Sequence, residues 1–217
     1  MNYNDFLIQI KKIKESNIKP KLLLHSCCGP CSTHVLKLLS EVFDITIFFY
    51  NPNIYPNDEF KKRLIEQEKV VKHINDKIKI IEGFYDYNLY LNEIKGLEQL
   101  GERSKRCYNC YEFRLKETYE YAKNNGFDYY TTTLSISPYK NSNWINEIGE
   151  ELEKEYNIRF LFSNFKLEDG YKRSIELSKI HDLYRQDYCG CIFSKNVRGT
   201  NTHLRTTNYH PDFEMHD

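Results

Sequence analysis

All seven cysteines of the chain fall into three short groups: Cys27-Cys28-Gly29-Pro30-Cys31, Cys107-Tyr108-Asn109-Cys110 and Cys189-Gly190-Cys191. Cysteines serving only as core filler would scatter among apolar strand and helix positions, and these do not. Seven is also odd, and the first residues carry Asp5, Lys11, Lys12 and Lys14 instead of an apolar signal region. Reduced thiols, metal ligands or a redox pair therefore fit better than a disulfide framework.

Each group admits more than one chemistry. Cys28-Gly29-Pro30-Cys31 spells a thioredoxin-type tetrapeptide, and a thiol at a helix start is acidified there. The chain length, the extra cysteine at 27 and the expected strand order weigh against that use. Structural zinc gathers four ligands at one point, usually from CxxC pairs separated by roughly 15–20 residues. The pairs beginning at Cys28 and Cys107 are much farther apart. An iron–sulfur cube presents metal corners several ångströms apart, so vicinal Cys27 and Cys28 can reach different irons, with Cys107 and Cys110 completing the set. In Cys189-Gly190-Cys191 an extended backbone would put the outer residues about 6.7 Å apart on one side. That is the long edge of disulfide geometry. Gly190 permits the bend that closes it, giving a strained, easily reduced bond able to carry two electrons. Two further metal ligands are the other reading, and Cys31 is the remaining thiol.

The elements that must position these thiols follow from apolar spacing. Phe6, Ile10 and Ile13 predict a helix over 5–15, and Leu22, Leu23 and Leu24 a buried strand over 21–26. Pro30 suits the first turn of a helix running to Leu39. Further strands are predicted over 43–50, 78–81, 128–134 and 158–163, with helices over 59–74, 86–100, 107–125 (closed by Gly126), 144–156 and 174–183. This alternation predicts an α/β fold: a mainly parallel, five-stranded, doubly wound sheet with helices on both faces. Residues 1–198 are expected to form one catalytic domain and 199–217 a loosely held tail. Ligands of such sheets collect beyond the carboxyl ends of the strands. Cys27, Cys28 and Cys31, Asn51-Pro52-Asn53 and the stretch 135–138 all fall there.

Composition excludes other classes. The 31 basic and 31 acidic residues rule out a uniformly basic nucleic-acid coat while leaving room for local patches. Mean hydropathy is −0.69, and no apolar run approaches the roughly 20 residues of a membrane helix. A cytoplasmic chain with no membrane partner is expected. Lys11, Lys12 and Lys14, and likewise Lys61-Lys62-Arg63, read as solvated helix faces.

Five ordered stretches carry a resemblance. They are His25-Ser26-Cys27-Cys28-Gly29-Pro30-Cys31; Tyr50-Asn51-Pro52-Asn53-Ile54; Glu102-Arg103-Ser104-Lys105-Arg106-Cys107-Tyr108-Asn109-Cys110-Tyr111; Thr131-Thr132-Thr133-Leu134 with Ser137-Pro138-Tyr139-Lys140; and Tyr184-Arg185-Gln186-Asp187-Tyr188-Cys189-Gly190-Cys191. Together, over 21–195, they resemble the QueH type of epoxyqueuosine reductase.

The resemblance implies an oxidoreductase of tRNA processing that performs the last step of queuosine biosynthesis. Such an enzyme reduces the epoxide of epoxyqueuosine, at the anticodon wobble position, to queuosine and water. It implies a core like that of nucleotide-binding (HUP) domains, and iron dependence without cobalamin. Cys27, Cys28, Cys107 and Cys110 would hold a 4Fe-4S cluster, Cys189 and Cys191 would form a redox-active disulfide, and Cys31 could bind an additional iron. Partners would be tRNA bearing epoxyqueuosine and an external electron donor; no oligomeric state is implied. Asp187 or Tyr184 beside the CxC pair would supply a proton. Arg103, Lys105 and Arg106 would meet phosphate, and so would Lys140 unless it simply belongs to a turn. His25 is either a core imidazole or catalytic. Arg106, Arg114 and the helix start at Pro30 would offset cluster charge. The 18 tyrosines and 13 phenylalanines are ample for stacking on unstacked bases.

Rival readings are a zinc-stabilised nucleic-acid-binding module without turnover, a thiol–disulfide oxidoreductase, and an ATP-using tRNA-thiolating enzyme. The last is disfavoured because Cys27-Cys28-Gly29-Pro30-Cys31 stands where a glycine-rich phosphate loop would be. The cluster reading requires Cys27/Cys28 and Cys107/Cys110 to meet at one rim of the sheet.

Overall fold

Three consecutive leucines, Leu22, Leu23 and Leu24, have no exposed surface at all, and they explain the architecture. A strand apolar on both faces can be stable only with helices above and below it. The computed structural model describes residues 3–200 except 17, 156 and 157, and for 198–200 the backbone alone. In it this strand, β1 (Lys21–His25), is the centre of a five-stranded sheet ordered β3-β2-β1-β4-β5. All pairings are parallel: β2 (Asp44–Phe49) and β4 (Tyr129–Thr132) flank β1, with β3 (Lys79–Glu82) and β5 (Arg159–Phe160) outside them. The order reverses direction between β1 and β4, so the crevice for a ligand lies at their carboxyl ends.

One helix layer holds α2 (Gly29–Leu39), α3 (Asn57–Ile74) and α7 (Gly170–Ile180), with α2 packed against the other two. The other holds α4 (Tyr87–Glu93), α5 (Lys105–Asn124) and α6 (Ser142–Glu155), with α5 between its neighbours. α1 (Tyr3–Glu15) buries Phe6, Ile10 and Ile13 as its spacing requires. α8 (Ile192–Thr200) follows the last cysteine pair. Among the described residues, no helix is long and apolar enough to cross a membrane.

Several boundaries differ from the sequence expectation for local reasons. The helix expected over 86–100 stops after Glu93, shortly before Gly96 takes a left-handed φ of 82°. β4 ends at Thr132, whose hydroxyl accepts the Leu134 N–H and opens a 3₁₀ turn over Thr133–Ile136. β5 keeps only two paired residues, because beyond it the Asn146 side chain takes over the Ser163 N–H at 2.8 Å. α7 begins at Gly170, four residues earlier than its apolar spacing suggests. Here the backbone itself needs glycine: a Cβ would collide with the Phe165 carbonyl oxygen. α8 was not foreseen, and it occupies 199 and 200 of the expected tail. The rest of that tail, from 201 onward, lies outside the described residues.

Candidate active site

The turn after β1 is fixed from two sides. From α3, Gln67 accepts the Ser26 hydroxyl at 2.6 Å and donates to Ser32 at 2.9 Å. From the end of β2, the Asn51 amide donates to the Ser26 carbonyl at 2.8 Å. Gly29 permits the close approach of α2 to α3, since a Cβ there would sit 2.5 Å from the Glu66 carbonyl oxygen. The outcome is a compact thiol triad: the sulfurs of Cys27, Cys28 and Cys31 lie within 4.8 Å of one another, all buried. Thr133, from the turn after β4, stands 3.9 Å from the Cys27 sulfur. Gln186 reaches in from the far end of the chain, its amide nitrogen 2.9 Å from the Cys28 sulfur and 4.0 Å from that of Cys31.

The other four cysteines form a second group. Cys107 and Cys110 occupy the start of α5, and Cys189 and Cys191 immediately precede α8. Cys110 and Cys191 share a small apolar cluster with Tyr90 and Ile94. The CxC turn is pinned along its backbone. Arg63 of α3 donates from Nη1 to the Cys189 carbonyl at 3.2 Å and from Nη2 to the Tyr188 carbonyl at 3.4 Å. The Tyr55 N–H donates to the Gly190 carbonyl at 2.9 Å, and the Cys189 N–H to the Ser194 hydroxyl at 3.0 Å. Gly190 holds φ at 127°, a conformation that favours glycine.

Buried cations tie the two groups together. Burial opposes the charge of Arg114, but the thiols of Cys110, Cys189 and Cys27 outweigh it and raise its pKa above the ordinary arginine value. Lys140 is held likewise: burial works against it, and Cys189, Cys27 and Cys31 raise it. Within the triad, hydrogen bonds from Cys28 and Cys31 bring Cys27 well below the usual thiol range. Burial, then Cys27, pushes Cys28 up to about 12. Ionised Cys27 thus opposes the ionisation of the other two buried thiols, as expected for like charges in close contact. Burial also lifts Cys110 to about 12, and burial with Cys189 lifts Cys191 to about 11.

Both groups border one cavity of about 200 Å³, whose wall includes Cys31, Cys107, Cys189 and Cys191 together with Tyr111, Lys140 and Asp187. A family model described as "Epoxyqueuosine reductase QueH" matches residues 22–197. This chain belongs to the QueH family.

Relatives named epoxyqueuosine reductase QueH include one from Streptococcus pyogenes, 39% identical over 204 residues, covering 92% of this chain and 80% of the relative. Another, from Staphylococcus epidermidis, is 39% identical over 206 residues, covering 92% and 87%. Among solved structures, an NMN synthetase from Francisella tularensis overlaps 98% of this chain and 100% of its own at a TM-score of 0.40 and 12% identity. Membership in QueH makes this chain an oxidoreductase.

The residues singled out in the QueH motifs sort into distinct places. Arg103 and Lys105 are exposed, Arg103 on the cavity wall and Lys105 with its ammonium 4.3 Å from the Tyr108 ring centroid. Arg106 and Lys140 are turned inward, 3% and 9% exposed. Arg106 donates to the Glu98 carbonyl at 3.0 Å and lies over the Phe193 ring at 4.3 Å. Asp187 is on the cavity wall, whereas the Tyr184 hydroxyl is committed to Glu59 at 3.2 Å. His25 is fully buried, and burial followed by the Arg114 charge lowers its pKa to about 3. The neutral ring donates from Nε2 to the Tyr50 carbonyl at 3.0 Å and accepts the Thr132 hydroxyl at Nδ1, 2.7 Å. It staples the ends of β1, β2 and β4, a core role.

Sequence reasoning took Arg63 for part of a solvated face, and it gave no individual role to Gln186 or Asn53. Arg63 is 1% exposed, although it belongs to a triplet whose other two members are solvated. Asn53 is 1% exposed, and neither end of its amide has a hydrogen-bond partner among the described residues. Its signal was its place in the Asn-Pro-Asn stretch after β2.

Proposed function

We propose that this chain reduces the epoxide of epoxyqueuosine at the tRNA wobble position, giving the alkene of queuosine and water. What carries the reading, beside membership in QueH, is that two thiol groups from distant stretches of chain border one cavity with Lys140 and Asp187. Converting an epoxide to an alkene consumes two electrons and two protons and releases the oxygen as water. The Cys189/Cys191 dithiol carries both: two S–H bonds break as one S–S bond forms, and an external electron donor restores the dithiol. Asp187, on the wall beside this pair, is proposed to hand the proton to the departing oxygen.

An iron–sulfur group fits the residues present. The donors are thiols, which suit iron–sulfur clusters. Arg114 is fully buried among them, and its Nη2 has no hydrogen-bond partner among the described residues. Cys27, Cys28, Cys107 and Cys110 are proposed to hold a 4Fe-4S cluster, with Cys31 open to an additional iron. When bound, such a group supplies one-electron transfer and Lewis acidity. Arg63, Arg114 and Lys140 offset the thiolate charge in a medium where an unbalanced charge is costly. Lys140 is thereby proposed as a charge-balancing residue, and phosphate contact is left to the exposed Arg103 and Lys105. Close approach of the three sulfurs of Cys27, Cys28 and Cys31 favours a second partition, in which this triad holds a single ion and Cys107/Cys110 face the CxC pair.

Protein purified without oxygen is expected to be brown, with iron and sulfide in equal amounts. Incubated with a reductant and tRNA bearing epoxyqueuosine, it should yield queuosine in nucleoside mass spectra. Iron without sulfide selects the single-ion partition. A colourless zinc protein that leaves the epoxide intact ends the reading.

A further inference from the structure

The turn over 137–140 is tight: the Lys140 N–H donates to the Ser137 carbonyl at 3.2 Å, and the Tyr139 N–H to the Ser137 hydroxyl at 3.3 Å. It sends successive side chains in opposite directions. Lys140 points among the thiols, and Tyr139 stands 55% exposed on the cavity wall. Two cations grip this turn by its carbonyls. Arg103 donates from Nη2 to Pro138 at 3.1 Å, and Lys166 donates to Lys140 at 3.2 Å. The two are near enough for their charges to repel: burial, then the Arg103 charge, lowers the Lys166 pKa. No ion pair to a carboxylate involves either one among the described residues, although Glu102, exposed, borders the same wall. Arg103 on the cavity wall and the half-buried Lys166 beside it are two neighbouring like charges without a carboxylate partner among the described residues, an arrangement that attracts an anion. A guanidinium beside an ammonium suits a phosphodiester.

A base worked on inside a cavity must leave its stack, and this leaves the neighbouring nucleotide and its phosphate at the mouth. We infer that Tyr139, Arg103 and Lys166 form a subsite for that neighbouring nucleotide, Tyr139 stacking on its base and the two cations holding its phosphate. This deepens, and rests on, the tRNA reading above. Lys166 lies outside the QueH motif stretches and would be a substrate contact supplied from the turn before α7.

The test measures binding of an unmodified anticodon stem–loop RNA to the whole protein across a salt series, without turnover. Arg103→Gly is the informative variant, because φ at 103 is 61° and glycine accepts that conformation without strain. Arg103→Gly and Lys166→Gln should each weaken binding about tenfold and flatten the slope of log affinity against log salt by about 0.7. Tyr139→Ala should weaken binding about tenfold with the slope unchanged, and Tyr139→Phe should bind as the parent does. Lys79→Gln, at the opposite end of the sheet, should change nothing. Parent-like affinity and slope in both Arg103→Gly and Lys166→Gln overturn the subsite while leaving the tRNA reading standing. Failure of the parent protein itself to bind the RNA removes the tRNA reading and the subsite with it.

Discussion

Arg63 holds the Cys189 carbonyl at 3.2 Å while its Nε meets Glu59 at 2.7 Å. One buried guanidinium thus fastens the CxC turn to α3, with a second branch on Tyr188. Only a planar fork with several donors can serve two carbonyls and a carboxylate together. Arg63→Lys should keep the charge and lose the fork, lowering turnover about tenfold or more. Arg63→Met leaves Glu59, 10% exposed at its side chain, unpaired and should cost about 3–5 kcal/mol in a urea titration. Parent-like stability of Arg63→Met would count against a buried ion pair here.

Gly190→Ala should impair the proposed redox pair. At φ 127° any side chain is strained, and the new Cβ would lie 3.1 Å from both Arg63 Nη1 and Ile54 Cγ1. A loss of about 1–3 kcal/mol is expected, with a larger loss of turnover because the displaced groups carry the Cys189 backbone. Thermal melts and single-turnover assays read the two effects separately. Equal activity would mean that the turn relaxes freely.

Gly29→Ala attacks the other thiol group. Its Cβ would press the Glu66 carbonyl at 2.5 Å, and backbone cannot swing aside as a flexible side chain can. Forcing α2 from α3 is expected to cost about 1–3 kcal/mol and to lower iron retention, since Cys28 and Cys31 flank the glycine. Iron per chain after anaerobic gel filtration measures it.

Gln186→Glu replaces an amide donor, 2.9 Å from the Cys28 sulfur, with a carboxylate facing thiolates. Reduced iron content is expected, whereas Gln186→Asn should fall between the two. Unchanged iron in Gln186→Glu would take this residue out of the metal environment.

Serine substitutions should separate the two proposed roles. Cys27→Ser and Cys107→Ser are expected to lose colour and iron. Cys189→Ser is expected to stay brown, bind tRNA and fail to reduce it. If Cys189→Ser also bleaches, the CxC pair ligates metal instead of carrying electrons.

The alternation of strands and helices was legible because it is a local property. Leu22-Leu23-Leu24 reads as a strand buried on both faces, and Phe6, Ile10 and Ile13 read as one helical stripe, whatever lies elsewhere in the chain. The ends of elements were less so. They depend on partners such as Asn146, whose side chain takes the Ser163 N–H and draws that chain out of the sheet, and on turn chemistry such as the Thr132 cap. α8 escaped notice because Cys191, and no Ser, Thr, Asp or Asn, stands ahead of it, while Ser194 within its first turn accepts the Cys189 N–H, a contact made only once the CxC turn has folded.

The sequence by itself determined that grouped thiols carry the site, because their grouping and their placement along the chain are written in residue order. Only the tertiary structure decided which thiols share an environment: Cys27, Cys28 and Cys31 in one triad, and Cys110 beside Cys191. It also decided that Arg63 and Lys140 face inward. The reason is separation along the chain. Arg63 and Cys189 are 126 positions apart, and no helical period reveals that one member of a basic triplet will turn from water toward a loop it meets only after folding.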